Sequence, residues 1–330
     1  MEFTLAPFLA ALFAFLITFI ATDWLIRYLN RIGLTVKDQN KKDTPIVPIS
    51  GGLAVLSGIF IGLMTYVFTQ TFYFGYLNTL LQVFAALTSI IMITLVGFLD
   101  DILIRKSKET SFGLKQWQKP LLTLSAAVPL MVINAGSTKM AIPFIGQIDF
   151  GILYPLILIP IGVVGAANMV NMLEGFNGMG TGMGIVYIGM LGFYAFINKE
   201  EVAALIALIT FTSLIAFYLY NRYPAKILPG DSLTYLLGGV IAVIAIIGNI
   251  EKAALIASIP FLIEFILKAR NKFKVKSYGF YKDGKIHSYH KDKIYSIPHI
   301  FTRTGKFTER QIVYFMILIE FFFSSLIWVV

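Results

Sequence analysis

Apolar runs long enough to cross a bilayer recur along this chain and leave little room for any other kind of fold. A hydrocarbon core of roughly 30 Å needs about twenty apolar residues per helix, and a segment in lipid must satisfy its own backbone N–H and C=O groups. Between glycine, proline and polar breakers, ten candidate spans lie near 5–29, 51–70, 79–99, 120–135, 151–170, 183–198, 202–220, 232–248, 252–268 and 311–330. The chain of 330 residues is 57% hydrophobic and 14% charged, with a mean hydropathy of +0.78, which excludes an ordinary soluble domain. The expected fold is an all-α polytopic membrane protein, a single domain over 1–330 with ten transmembrane helices. Met1-Glu2 precedes the first run without a basic stretch or cleavage site, so that run reads as a retained span rather than a signal peptide. Cysteine is absent, which excludes disulfides and thiolate metal sites, and the three histidines all fall between 287 and 299.

The connections between runs form two unequal sets. Segments 30–50, 100–119, 171–182, 221–231 and 269–310 are polar; 71–78, 136–150, 199–201 and 249–251 are short and hold few lysines or arginines. Of the 27 lysines and arginines, all but Lys139, Lys199 and Lys252 lie within or beside the first set. That asymmetry predicts a cytoplasmic first set and, with ten spans, both termini outside. The net charge of +9 is then concentrated on one membrane face, where it attracts anionic lipids and is available to line an anion site.

The notable polar residues share that face. Asp100 and Asp101 close the third run, where they can bind a cation, orient a lysine, accept a proton, or simply answer Arg105 and Lys106. Asn168 and Asn171 stand three apart on one helix face, in a run that continues to Asn177 and Gly178. An asparagine carbonyl can join a Mg²⁺ shell while its amide donates to a phosphate or base edge; interhelical amide bonding is the alternative. Pro229-Gly230-Asp231-Ser232 holds one acid at a helix start, either as a plain N-cap or, with Ser232 doing the capping, as a metal ligand. Mg²⁺ takes one or two protein oxygens plus substrate phosphates, so Asp231 with Asn171 and a diphosphate fits that ion.

These residues resemble the polyprenyl-phosphate N-acetylhexosamine-1-phosphate transferase superfamily along nearly the whole chain. The likeness rests on Gly97-Phe98-Leu99-Asp100-Asp101, on Asn168 through Gly178, and on Pro229-Gly230-Asp231-Ser232; Asn221-Arg222-Tyr223-Pro224 is closest to the dolichyl-phosphate GlcNAc-1-phosphotransferase branch. The resemblance implies that GlcNAc-1-phosphate passes from UDP-GlcNAc to polyprenyl or dolichyl phosphate with Mg²⁺ (Mn²⁺ as a substitute), releasing UMP. It also implies Asp231 and Asn171 as metal ligands, Asp100, Asp101 and Lys119 as catalytic residues, and Asn177 with Gly178 at the uridine. Asp38 and Asn40 resemble the first-loop segment on the nucleotide side. Two departures stand out: Ile49, not glutamate, precedes Ser50, and the loop before the last span carries neither the histidine cluster nor the His-Arg-x-Pro-Arg of relatives. His299 and Arg303 are the candidates there for sugar-phosphate contacts.

The lipid phosphate is largely dianionic at pH 7, so Asp100 and Asp101 are expected to hold Lys119, water or metal around it more than to remove a proton. The polar loop 269–310 is expected to recognise the sugar, with a small cytoplasmic β-hairpin in which Val275–Tyr281 and Lys285–Tyr289 flank Asp283-Gly284. Expected partners are the bilayer, UDP-GlcNAc and the lipid phosphate, with a second copy of the chain as a candidate and no nucleic acid. Rival readings are the same reaction with UDP-GalNAc or UDP-MurNAc-peptide, a secondary transporter, and a non-catalytic lipid-binding scaffold.

Overall fold

A computed structural model describes residues 5–75, 78–107, 113–134 and 137–329, the side chains of 104–107 lying outside the described residues. Apolar sequence becomes helix throughout. The long helices are α1 (Ala6–Ile32), α2 (Gly52–Thr69, continued by one wider turn, Gln70–Phe74), α3 (Leu80–Ser107), α6 (Ile159–Met172, preceded by a wide turn, Tyr154–Leu158), α7 (Met179–Ile197), α8 (Glu201–Asn221), α9 (Gly230–Ile247) and α13 (Glu309–Ser325). These eight are long and apolar enough to cross a membrane. Many of their outward residues are large and apolar, such as Phe8, Trp24, Phe60 and Phe193, as lipid contact requires.

The other two expected spans are broken helices. One is α4 (Gln118–Thr123), a tight turn over Leu124–Ala127, and α5 (Val128–Ile133); the other is α10 (Glu251–Ala257) and α11 (Ile259–Ala269). Pro129 and Pro260 sit in the first turns of α5 and α11, where a missing N–H and a fixed φ start a helix readily but do not continue one. Among the described residues, eight of the ten expected spans are thus single long helices and two are segmented stretches.

The centre of the bundle is α9. Every residue from Ser232 to Ile246 is buried, and α2, α3, α6, α7 and α8 pack around it. Small residues permit this approach, since helices within a membrane associate through close van der Waals packing. A Cβ on Gly97 of α3 would meet the Asp231 carbonyl oxygen at 2.3 Å and Ser232 Cα at 2.7 Å. Gly230 takes φ +69°, and a Cβ there would stand 2.4 Å from Asp101 Oδ2. The start of α9 is thus pressed against the acid pair.

Three short antiparallel hairpins join the helices: β1 (Thr35–Lys37) with β2 (Ile46–Pro48), β3 (Lys139–Ile142) with β4 (Gly146–Asp149), and β5 (Phe280–Lys282) with β6 (Lys285–His287). The last turns through Asp283 and Gly284, both at positive φ, as a two-residue hairpin demands. It is shorter than the alternation over 275–289 suggested, and the first two hairpins carry no such turn signal. A single turn of helix, α12 (His299–Thr302), follows it.

Gly97→Ala is expected to lower the thermal unfolding midpoint in detergent, by about 1–3 kcal/mol of overpacking. Gly162→Ala in α6, where a Cβ meets nothing within 4 Å, should leave it unchanged or raise it slightly; a loss at both positions, or at neither, would remove the packing argument.

Candidate active site

The third apolar run ends at Leu99, but α3 continues to Ser107, so Asp100 and Asp101 lie inside a helix and not at the head of a loop. Both are fully buried. An ionised carboxylate survives burial only when paired and hydrogen-bonded, and the two acids meet this need differently.

Asp101 is taken up by backbone. Its Oδ1 accepts the Asp231 N–H at 2.7 Å, and its Oδ2 accepts the Ser232 N–H at 3.2 Å and the Ser50 hydroxyl at 2.8 Å. The opening N–H groups of a helix lack partners within it, and α9 is capped here by an acid from another helix. Neither of its own candidates does so: the Ser232 hydroxyl donates to the Pro229 carbonyl at 3.3 Å. Asp231 is left to face the other way, as Ser232 capping was expected to allow, but by a different route.

Asp100 contacts the Lys119 ammonium and accepts the Leu114 N–H. Lys119 also reaches Asp231 Oδ2 at 3.0 Å, so one ammonium bridges two carboxylates. Asn171 donates to the same Asp231 oxygen at 3.2 Å, and its own carbonyl accepts the Thr234 hydroxyl at 2.9 Å. Asn168 lies one turn back, donating to the Val164 carbonyl at 2.8 Å and accepting from the Tyr235 hydroxyl at 3.4 Å. Lys119 and Asp231 keep 22% and 21% of their side-chain surface open, whereas Asp100 has none; the open pair is what a substrate can touch. The side chains of Arg105 and Lys106, the alternative partners for the acids, lie outside the described residues.

A second polar group forms where the segment after α6 meets the first loop. Asn177 Nδ2 donates to Asp38 Oδ2 at 2.9 Å, and its N–H donates to Glu309 Oε1 at 2.9 Å. Lys41 pairs with Asp38 at 3.1 Å and with Glu309, and lies 4.7 Å from the Tyr223 ring centroid. Asn40 donates to the Gly175 carbonyl at 2.6 Å. Gly178, at φ +81°, has Tyr218 and Arg222 as neighbours. Glu174, between the two groups, is pushed up to about 7 by burial although it accepts the Gly175 N–H. That segment therefore carries less negative charge near neutrality than its sequence indicates.

The loop residues behave differently from expectation. His299 is fully buried: its Nδ1 accepts the Tyr295 N–H at 3.3 Å, so Nε2 carries the proton and donates to the Lys276 carbonyl at 3.0 Å. Both nitrogens are engaged in holding the loop. Arg303 is exposed. Sequence alone did not single out Lys41, Thr234, Glu264, Lys268 or Glu309. The one legible hint was Glu264 and Lys268, four residues apart in an otherwise apolar run.

An apolar cavity of about 290 Å³ runs between α6, α9, α10 and α11, bordered by Gly162, Met169, Val170, Ile241, Ala245 and Phe261. Its border on α6 reaches Met169 and Val170, the two residues before Asn171, and on α9 it runs along Ile241–Ile246. Among the described residues no group of three or more His, Cys, Asp or Glu could hold a metal by itself. A Mg²⁺ that relies on one or two protein oxygens and on substrate phosphates still fits Asp231 and Asn171. Turning over the Asn171 amide would present its oxygen on the Asp231 side, and the Thr234 hydroxyl can then accept instead of donate.

Fold and site together define an integral membrane enzyme with a buried carboxylate–lysine centre at one end of a helical bundle. Residues 83–249 match the model of glycosyl transferase family 4, and the chain belongs to that family. It is 37% identical, over 94% of its length and 92% of the relative's, to a Saccharolobus solfataricus protein provisionally named UDP-N-acetylglucosamine–dolichyl-phosphate N-acetylglucosaminephosphotransferase. A Sulfolobus acidocaldarius protein with the same provisional name is 35% identical over 96% and 94% of the two chains. The phospho-N-acetylmuramoyl-pentapeptide-transferase of Staphylococcus haemolyticus is 30% identical over 78% and 81%.

Asp101→Asn puts an amide hydrogen against a cluster of three donors, so it should destabilise the fold by about 1–3 kcal/mol. Asp100→Asn should cost less stability and reduce activity more. A thermal melt of both variants in detergent checks this, and the reverse order of midpoints would refute the capping role.

Burial pushes His299 down to about 4, with His290 and Lys268 nearby adding to the effect. A depressed value means that folding favours the neutral ring. Its contribution is complete above the unfolded value of about 6.5 and is lost as pH falls from there through about 4. Thermal midpoints between pH 7.5 and 4.5 should fall more steeply for the natural protein than for His299→Gln; parallel curves would count against this.

Proposed function

We propose that the protein transfers GlcNAc-1-phosphate from UDP-GlcNAc to a polyprenyl phosphate of the dolichyl type, giving GlcNAc-diphosphate-polyprenol and UMP. The reading rests on one observation above others: a partly open lysine bridges Asp231 and the buried Asp100, with Asn171 on the same Asp231 oxygen. A cation beside a carboxylate and an amide suits an incoming phosphate and a divalent ion, and the chain's relatives carry names of this chemistry. The topology proposed with it has ten membrane crossings, counting the two segmented stretches, with the polar centre and the 269–310 loop cytoplasmic and both termini outside.

In this reaction an oxygen of the lipid phosphate forms a bond to the sugar-bearing phosphorus. The bond from that phosphorus to the bridging oxygen breaks, and UMP leaves with the electron pair. The barrier is mainly the approach of two anions, so catalysis is chiefly positioning and charge neutralisation. Lys119 supplies a fixed positive charge, and Asp100, buried beneath it, keeps its ammonium in place. Asp101 acts one step further back by holding the start of α9, from which Asp231 projects. Asn171 and Asp231 would hold Mg²⁺, which when bound neutralises the diphosphate and draws charge from the leaving group. Asn177, Gly178, Asp38 and Asn40 would receive the nucleotide, and Asn168 orients the α4–α6–α9 junction through Thr123 and Tyr235. Arg303, exposed on the loop, is free to meet the sugar phosphate, whereas His299 serves by shaping the loop.

The test is the purified chain with radiolabelled UDP-GlcNAc, dolichyl phosphate and Mg²⁺, followed by extraction of labelled lipid and detection of UMP. Labelled lipid should form, disappear with EDTA, and fall at least about a hundredfold in Asp231→Asn. Product from UDP-GalNAc or UDP-MurNAc-pentapeptide alone would change the sugar and keep the reaction; no product from any UDP-sugar would overturn it.

A further inference from the structure

Glu264 lies on the apolar helix α11, is fully buried, and plays no part in the chemistry above. An uncompensated carboxylate there would be costly, and its partners explain how it is kept. Oε1 accepts the Ser296 hydroxyl at 2.7 Å, and Oε2 accepts the Ile297 N–H at 2.8 Å. The Ser277 hydroxyl lies 3.3 Å from Oε1, and Lys268, one turn along α11, lies 3.4 Å from the same oxygen. Ser277 and Ser296–Ile297 belong to opposite limbs of the 269–310 loop, one before the β5–β6 hairpin and one after it. A single carboxylate therefore closes the loop at its base.

The same group reaches the end of α6. Lys268 donates to the Met172 carbonyl, and the Ser277 hydroxyl also lies within 3.0 Å of it. A cation at a helix C-terminus answers both the unpaired carbonyl and the negative end of the helix dipole. Met172 follows Asn171, the residue bonded to Asp231. Three residues on, Gly175 lies against Ser277 and Tyr278, where a Cβ would meet both at 3.3–3.5 Å, while its carbonyl holds Asn40. The loop is thus tied to the backbone between Asn171 and Asn177, which is the stretch linking the two polar groups of the site.

We propose that Glu264 and Lys268 are positioning residues that clamp the 269–310 loop onto the end of α6 and thereby set the affinity for the nucleotide sugar without touching it. The inference rests on the transferase reading for its substrate, but the clamp itself can be tested apart from it. Glu264→Gln keeps one acceptor oxygen and loses the charge, Glu264→Ala loses both, and Lys268→Met removes the bond to Met172 while keeping the stem.

The experiment has two readouts on the full chain in detergent. The first is limited trypsin digestion at the exposed loop residues Lys282, Lys291 and Lys293. Cleavage should be slowest in the natural protein, faster in Glu264→Gln and fastest in Glu264→Ala, at a temperature where melting curves show all three folded. The second is steady-state transfer. KM for UDP-GlcNAc should rise roughly tenfold in Glu264→Ala and Lys268→Met and less in Glu264→Gln, with kcat and the KM for dolichyl phosphate little changed. Trypsin sensitivity equal to the natural protein in Glu264→Ala would overturn the clamp. A loss confined to kcat, or spread equally over both substrates, would overturn its role in nucleotide affinity. A natural protein without transfer activity would instead sink the transferase reading, and the digestion order would still decide the clamp.

Discussion

The structure turns on one buried carboxylate. Asp101 satisfies two backbone N–H groups at the start of α9 and a hydroxyl from the turn before α2, and so joins three elements at a point fully buried within the protein. An anion placed against a helix N-terminus interacts with aligned peptide dipoles as well as with the individual donors, and low polarity strengthens both. Once the start of α9 is held, Asp231 has one direction left to face. There it meets Lys119 and Asn171, each anchored on a different helix.

Seen this way, adjacent acids with the same chemistry have different duties because of their partners. Asp100 and Asp101 are equally buried. One meets the Lys119 ammonium and the Leu114 N–H, and the other meets the first N–H groups of α9. The Asp100 pairing can be exchanged with the α9 start intact; the Asp101 pairing cannot without unmaking that start. The same contrast holds in the loop, where His299 and Glu264 have their polar atoms on backbone, hydroxyl and ammonium groups while Arg303 is exposed.

The membrane architecture was legible in the sequence because lipid leaves helices as the only economical structure for long apolar runs. Helix boundaries followed less well wherever polarity and helicity parted company. Polarity begins at Asp100, yet α3 runs on to Ser107 because buried acids can find partners sideways. Asp231 lies with Asn171, and Asp38 with Asn177, residues that the family resemblance had already grouped. Asp101 as a cap, Glu264 as a clamp and Glu309 as a partner for Lys41 did not show, because each depends on contacts between residues far apart in the chain. The first two hairpins were missed for want of an Asn-Gly or Asp-Gly turn, the signal that marked the third.

The enclosure of α9 bears on how the protein can live in different bilayers. A helix of 18 residues spans about 27 Å, close to the thickness of a hydrocarbon core, and α9 meets no lipid over its buried length. By contrast, α1 has 27 residues and an outer face of Phe8, Phe13, Phe19 and Trp24. A thicker or thinner membrane is accommodated by tilt and bending of the helices that touch it, which here form the rim. Asp231 is carried by the axle. Adaptation to a new lipid composition can therefore proceed by substitution around the circumference while the Asp231 centre keeps its dimensions.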